Sequence, residues 1–133
     1  VARIAMSALH RPVRTSTGDQ APDFQGRLLG LHEFEVQASS DGGRTYKTVY
    51  RSPQSFFPTG SPRAVAPDLN LRTVTLSQPV LADHLRVVVK SNTCTGTPDF
   101  RGDKDNDPTN DSDCPSTDNA YRVTVTEFQA FGR

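Results

Sequence analysis

The sequence predicts an all-β sandwich with long loops. Three observations carry that expectation: short runs of alternating apolar and polar residues recur along the chain, Gly- and Pro-rich turn signals separate them, and no stretch repeats apolar residues at helical spacing. At 133 residues the chain makes one domain, long enough to bury a core of its own.

The elements follow in order. Val1 to Ala8 alternates loosely and reads as a strand. Phe34 to Ala38 alternates strictly, and Tyr46 to Tyr50 repeats the pattern after Ser40-Asp41-Gly42-Gly43. Asp-Gly and Gly-Gly supply the positive backbone angles of a tight turn between twisted strands, so the two runs form a hairpin. Leu69, Leu71, Val74 and Leu76 alternate with a slip of one residue near Thr73, which signals a bulge or a sheet edge. Leu85 to Val89 is a β-branched strand, and Tyr121 to Phe131 is the last one, with Phe128 breaking the alternation of Val123 and Val125. Pro53, Pro58, Pro62, Pro67 and Pro79 exclude a long helix from the middle third and mark loops or edges.

Charge sets the next bounds. Lysine plus arginine and aspartate plus glutamate number 15 each, so the chain is neutral overall. Outside one acidic loop the excess is about four positive charges, too few and too scattered for a nucleic-acid surface. No apolar run has the length of a membrane span. Two cysteines, Cys94 and Cys114, bracket that polar loop far from any histidine. A disulfide is the economical reading; closing a loop of this size is worth roughly 3 kcal/mol, and it implies an oxidising, secreted setting.

Between the cysteines lie six aspartates against Arg101 and Lys104. Asp103, Asp105 and Asp107 alternate, and Asp111 and Asp113 follow a Pro108 turn, so a hard cation such as calcium is one reading. The loop is not an EF-hand, because Pro108 stands where the glycine belongs and Cys114 where the bidentate glutamate belongs. The other reading is a solvated acidic loop whose carboxylates are met by Arg101, Lys104 and backbone amides through Asx turns.

Catalytic signatures are not found in the sequence. His32-Glu33-Phe34-Glu35-Val36 fails the His-Glu-x-x-His pattern, and His10, His32 and His84 are scattered, as loop or strand-end residues are. No Gly-x-Ser-x-Gly or Gly-rich phosphate cradle occurs. Loops collected at one end of a sandwich offer a binding face. Its candidates are Arg11, Arg14 and Asp23 in one loop and Phe57 in another, with guanidinium and carboxylate for hydroxyl groups and a ring for stacking. The competing role for Phe56 or Phe57 is to cap the core beneath its own loop.

Three landmarks together resemble discoidin, or coagulation-factor C-type, domains. They are Phe34-Glu-Val-Gln-Ala-Ser-Ser-Asp-Gly-Gly followed by Tyr46-Lys-Thr-Val, then Ala82-Asp-His-Leu-Arg-Val-Val-Val, and finally Val125-Thr-Glu-Phe-Gln-Ala-Phe-Gly. Within that family the Cys-Thr-Gly and Asp-rich insertion is similar to C-terminal modules of secreted actinobacterial fungalysin-like metallopeptidases. The resemblance implies a galactose-binding-like jelly roll spanning 1–133, the C-terminal part of a larger precursor. It also implies a calcium role for a closing-strand glutamate, here Glu127; a plain strand carboxylate pairing with an arginine is the reading preferred for it. The family's opening segment, with Asp-Gly-x-x-x-Thr-x-Trp, has no counterpart here, and the chain has no Trp. The first strand or strands are therefore expected to be missing, leaving the strand at Val1 with an open edge that a precursor segment, another chain or unusual local packing completes.

The function that follows is an extracellular, non-catalytic recognition module for a glycan or a protein surface, belonging to a larger secreted hydrolase. The rival is an assembly domain that packs against its enzyme or another subunit and binds no sugar. Fold analogy alone does not choose between them.

Overall fold

Alternation in the sequence becomes a sandwich of two antiparallel three-stranded sheets. The computed structural model describes residues 1–8, 30–54, 56–57, 71–96 and 118–132. Its strands are β1 (Arg3–Ser7), β2 (Leu31–Ser39), β3 (Lys47–Arg51), β4 (Arg72–Thr75), β5 (His84–Asn92) and β6 (Glu127–Phe131). One sheet has the order β4-β1-β6 and the other β3-β2-β5. Their facing sides share a core of Ile4, Met6, Leu31, Phe34 and Val36, closed by Phe56 and Phe57. Among the described residues, no helix is long and apolar enough to cross a membrane.

β1 lies in the middle of its sheet, paired with β4 through Arg3–Thr75 to Met6–Arg72 and with β6 through Arg3–Phe131 to Ser7–Glu127. The expected open edge at this strand is thus overturned, since both its sides are hydrogen-bonded. A segment that extended this sheet would have to add to β4 or β6. The strand is also covered on both faces: Ile4 and Met6 point into the core, and Ala5 and Ser7 are buried as well. Burial on both faces removes the need for polar residues at every second place, which is why the alternation there is loose.

β2 is the hydrophobic spine of the other sheet, and its register explains a pattern that strict alternation misses. Leu31 and Phe34 are 0% and 1% exposed although they stand three positions apart. A regular strand would turn them to opposite faces. Leu31 faces Asn92 and Glu33 faces Ser91, so His32 is an extra residue on β2; Phe34 then faces Val89, so Lys90 is an extra residue on β5. The two bulges cancel, and both side chains reach the core. A third irregularity lies between Val36–Tyr50 and Gln37–Thr48 and makes Val49 the extra residue on β3, and both Val49 and Tyr50 pack on the core.

Two further expectations are refined. The slip near Thr73 marks an edge and not a bulge, since β4 pairs with β1 in unbroken register and has no second neighbour among the described residues. The last strand is shorter than expected: Asp118–Tyr121 forms a 3-10 turn, Thr124 makes an isolated parallel bridge to Gly30, and pairing begins at Glu127. Thr126 prepares it by donating both its amide and its hydroxyl to the Ser7 carbonyl, at 3.0 and 2.9 Å.

Aromatic packing closes the core. The Phe34 ring meets Phe56 edge-on at 5.0 Å, Phe57 at 6.4 Å and Tyr50 at 6.0 Å. Ser52 brings the chain back to it: the Phe34 amide donates to Ser52 Oγ at 2.8 Å, and the Ser52 amide donates to the Phe34 carbonyl at 2.9 Å. Replacing Phe34 with Ala is expected to cost about 3–5 kcal/mol in urea unfolding, while Leu81→Ala stays within about 0.5 kcal/mol, because Leu81 is 89% exposed. Equal effects of the two substitutions would contradict this core.

Candidate functional site

The β2–β3 turn fixes the strand on which the site is built. Gly42 and Gly43 adopt φ of 73° and 80°, the left-handed region that the Asp-Gly-Gly sequence favours. Asp41 knits the turn together. Its Oδ1 accepts from the Ser39 hydroxyl at 2.6 Å and from the amides of Arg44 and Thr45 at 3.0 and 2.9 Å, and its Oδ2 accepts from the Thr45 hydroxyl at 2.6 Å. The Ser39 hydroxyl, then the Thr45 hydroxyl and amide, hold the Asp41 carboxyl far below the usual carboxylate range. Asp83, just before β5, clamps the turn from outside by accepting from the Gly42 amide at 2.9 Å while its other oxygen meets His84 Nδ1 at 2.9 Å. The His84 contact, followed by the Gly42 amide, lowers the Asp83 carboxyl as well.

From that turn β3 runs with β2 as its one strand partner among the described residues. Its outer side carries a polar network: Glu35 accepts from Gln37 at 3.0 Å and from the Thr48 hydroxyl at 3.1 Å, and its other oxygen lies 3.5 Å from Arg51 Nε. The Gln37 amide, then Thr48, and more weakly Arg51 draw the Glu35 carboxyl below its ordinary value. Arg86 donates to Gln37 Oε1 at 2.8 Å and stacks 3.9 Å over the Tyr46 ring.

Where the β3 edge faces the end of β4, the two sheets leave a groove of about 520 Å³ lined by Thr48, Val49, Tyr50, Arg51, Thr75, Leu76 and Ser77. This size falls in the usual range for ligand sites. Its lining residues carry four hydroxyl groups and one guanidinium beside the apolar Val49 and Leu76, with the Thr48 hydroxyl and the Arg51 guanidinium engaged by Glu35. Burial pushes the Tyr50 phenol up, and nearby Arg72 partly opposes that shift. Leu76 is held in place by its amide, which donates to the Ala2 carbonyl at 2.9 Å.

A smaller hollow of about 270 Å³ lies along the β5 edge, where Val89 to Asn92 and Thr95 face Ala120, Tyr121 and Val123. Asn92 ties its two walls together: Nδ2 donates to the Arg122 carbonyl at 2.7 Å and Oδ1 accepts from the Thr95 amide at 3.0 Å. Cys94 sits beside it, buried and disulfide-bonded, and the sequence holds one other cysteine, Cys114. A Cβ on Gly96 would stand 3.0 Å from His32 Nδ1 and 3.1 Å from Ser91 Oγ, so a larger residue there needs those side chains to give way.

The candidate residues distribute unevenly over this frame. Arg11, Arg14, Asp23, Asp103, Asp105, Asp107, Asp111 and Asp113 lie outside the described residues. Phe57 is 3% exposed and packed between Phe34 and Phe56, so its ring serves the core and offers no free face for stacking. Glu127 opens β6 opposite Ser7. Among the described residues, no three His, Cys, Asp or Glu side chains gather as a metal site requires. The groove residues were not singled out by sequence, because exterior strand positions with threonine, serine and arginine read as a solvated face.

Asp41 gives the turn a pH signature. Its carboxyl titrates lower in the folded chain than in the unfolded one, so its bonds stabilise the fold above the ordinary aspartate range and are lost as pH falls through the lowered value. Asp41→Asn should therefore lower the melting temperature at neutral pH and flatten its fall below about pH 4; an unchanged acid slope would refute the assignment. Gly43→Ala should cost about 1–2 kcal/mol, because φ of 80° strains any side chain and the new Cβ stands 3.1 Å from the Tyr46 hydroxyl.

In comparisons with protein-family models, curated proteins and solved structures, nothing matches this chain.

Proposed function

We propose that the chain is a non-catalytic recognition module for glycans, working outside the cell as part of a larger secreted hydrolase. The observation that carries the reading is the groove between β3 and β4, whose lining combines the hydroxyl-bearing Tyr50, Thr75 and Ser77 with the apolar Val49 and Leu76. A sugar ring presents hydroxyls at its rim and C–H groups on its faces, and such a lining answers both. The discoidin-like sequence landmarks and the disulfide at Cys94 agree with a secreted module of this kind. A jelly-roll connection of the strands belongs to the same proposal.

Calcium belongs to it too, as a cation folding the loop that carries Asp103, Asp105, Asp107, Asp111 and Asp113 and neutralising part of its charge. The rival reading is an assembly domain, for which the exposed side chains of Leu81 and Tyr121 are the apolar groups to probe.

A glycan array tests the choice. Saturable hits that Tyr50→Phe weakens by about three- to tenfold without lowering the melting temperature support recognition in the groove. Silence across the array, together with self-association or capture of the parent enzyme that Leu81→Asp abolishes, establishes assembly instead. For calcium, millimolar ion should raise the melting temperature relative to a chelator control, and Asp105→Asn with Asp107→Asn should remove the rise.

A further inference from the structure

We propose that the hollow along the β5 edge is a second saccharide site, one that takes a single sugar ring against the face of Tyr121. The inference rests on the recognition reading and goes beyond it in the place bound and in the size of the ligand. Every other aromatic ring of phenylalanine or tyrosine among the described residues is already covered. Phe34, Tyr50, Phe56 and Phe57 pack on one another, Phe128 lies against the core, Arg3 stands 4.4 Å over the Phe131 ring and Arg86 3.9 Å over that of Tyr46. Tyr121 is 90% exposed, and it lines a hollow of about 270 Å³.

The other lining residues supply what the rim of a sugar requires. Thr95 is exposed, and its hydroxyl is oriented from within: it accepts from the Asn92 amide at 3.0 Å and donates to Asn92 Oδ1 at 3.1 Å. With its proton committed, that oxygen keeps one lone pair with which to accept. Lys90 is exposed as well and brings donors on a movable stem. A sugar hydroxyl both donates and accepts, so it answers a fixed acceptor and an ammonium together. The C–H face of the same ring answers Tyr121, whose apolar body carries a polar tip, with Val89 and Val123 beside it. The frame is set before a ligand arrives: Asn92 is 2% exposed and holds the Arg122 carbonyl, next in the chain to Tyr121. At 270 against 520 Å³ the hollow is about half the groove and just under the usual range of ligand sites, which suits one ring and not a chain. The order β3-β2-β5 puts the two sites on opposite edges of one sheet.

The test is titration of the full chain with the methyl glycosides of galactose, glucose, mannose and N-acetylglucosamine, read from the ring-proton NMR signals of Tyr46, Tyr50 and Tyr121. At least one glycoside should bind with a Kd on the order of millimolar, as a ligand of this size allows, and shift the Tyr121 signals. Tyr121→Ala should weaken that binding at least about tenfold and Tyr121→Phe should keep most of it. Both variants should melt within about 3 °C of the parent chain, because the side chain is exposed. Undiminished binding in Tyr121→Ala, or shifts confined to Tyr50, overturns the second site and leaves the groove reading standing. A melting temperature that falls well beyond that margin in Tyr121→Ala gives the ring to the fold, and self-association that the same variant abolishes gives it to a subunit contact; either result overturns the site. Silence towards all four glycosides overturns it as well, and only silence on the glycan array besides would remove the recognition reading on which it rests.

Discussion

The packing of Phe34 is the constraint on which the rest depends. It sits on the central strand of one sheet, is 1% exposed, and touches the rings of Tyr50, Phe56 and Phe57. Its own backbone is bonded in both directions by Ser52, which turns the chain after β3 back over the core. Three consequences come from that one side chain. The β3 edge is held against the core through Tyr50, the following segment delivers Phe56 as a platform for Arg72, and the groove obtains a tyrosine fixed by burial on one side and open on the other.

Much of this frame was legible in the sequence, and the limits have physical causes. Phe34, Val36 and Ala38 alternate because β2 buries one face, and Asp41-Gly42-Gly43 announces its turn because few other residues accept those backbone angles. β1 was harder to place. A strand buried on both faces loses its alternation, and pairing partners as remote as Thr75 and Phe131 leave no local mark. The strand at the C-terminal end was overextended because Val123 and Val125 imitate β-sheet periodicity, although Val125 is 40% exposed and only Val123 packs on the core.

The candidate site was less legible than the fold for a different reason. Thr48 and Arg51 belong to one sheet and Thr75 and Ser77 follow the edge of the other, so the groove exists only where two edges meet. Each residue alone has the chemistry of an ordinary exterior position. Conversely, Phe57 looked like a stacking ring because sequence does not reveal which aromatic in a loop is drawn inward. The turn that presents β3 is unusually well bonded for an exposed segment, with Ser39, Asp41, Thr45 and Asp83 all contributing. Under the proposed recognition role, a groove wall anchored in this way would have little ordering left to lose.

The cancelling bulges at His32 and Lys90 bear on how this sheet tolerates change in length. Each extra residue is taken up inside its own bulge, so Leu31–Asn92, Glu33–Ser91 and Phe34–Val89 stay matched whether one bulge is present or both. The ladder can therefore gain or lose a residue at either place and keep the same residues inside, and length in this sheet is tolerated strand by strand.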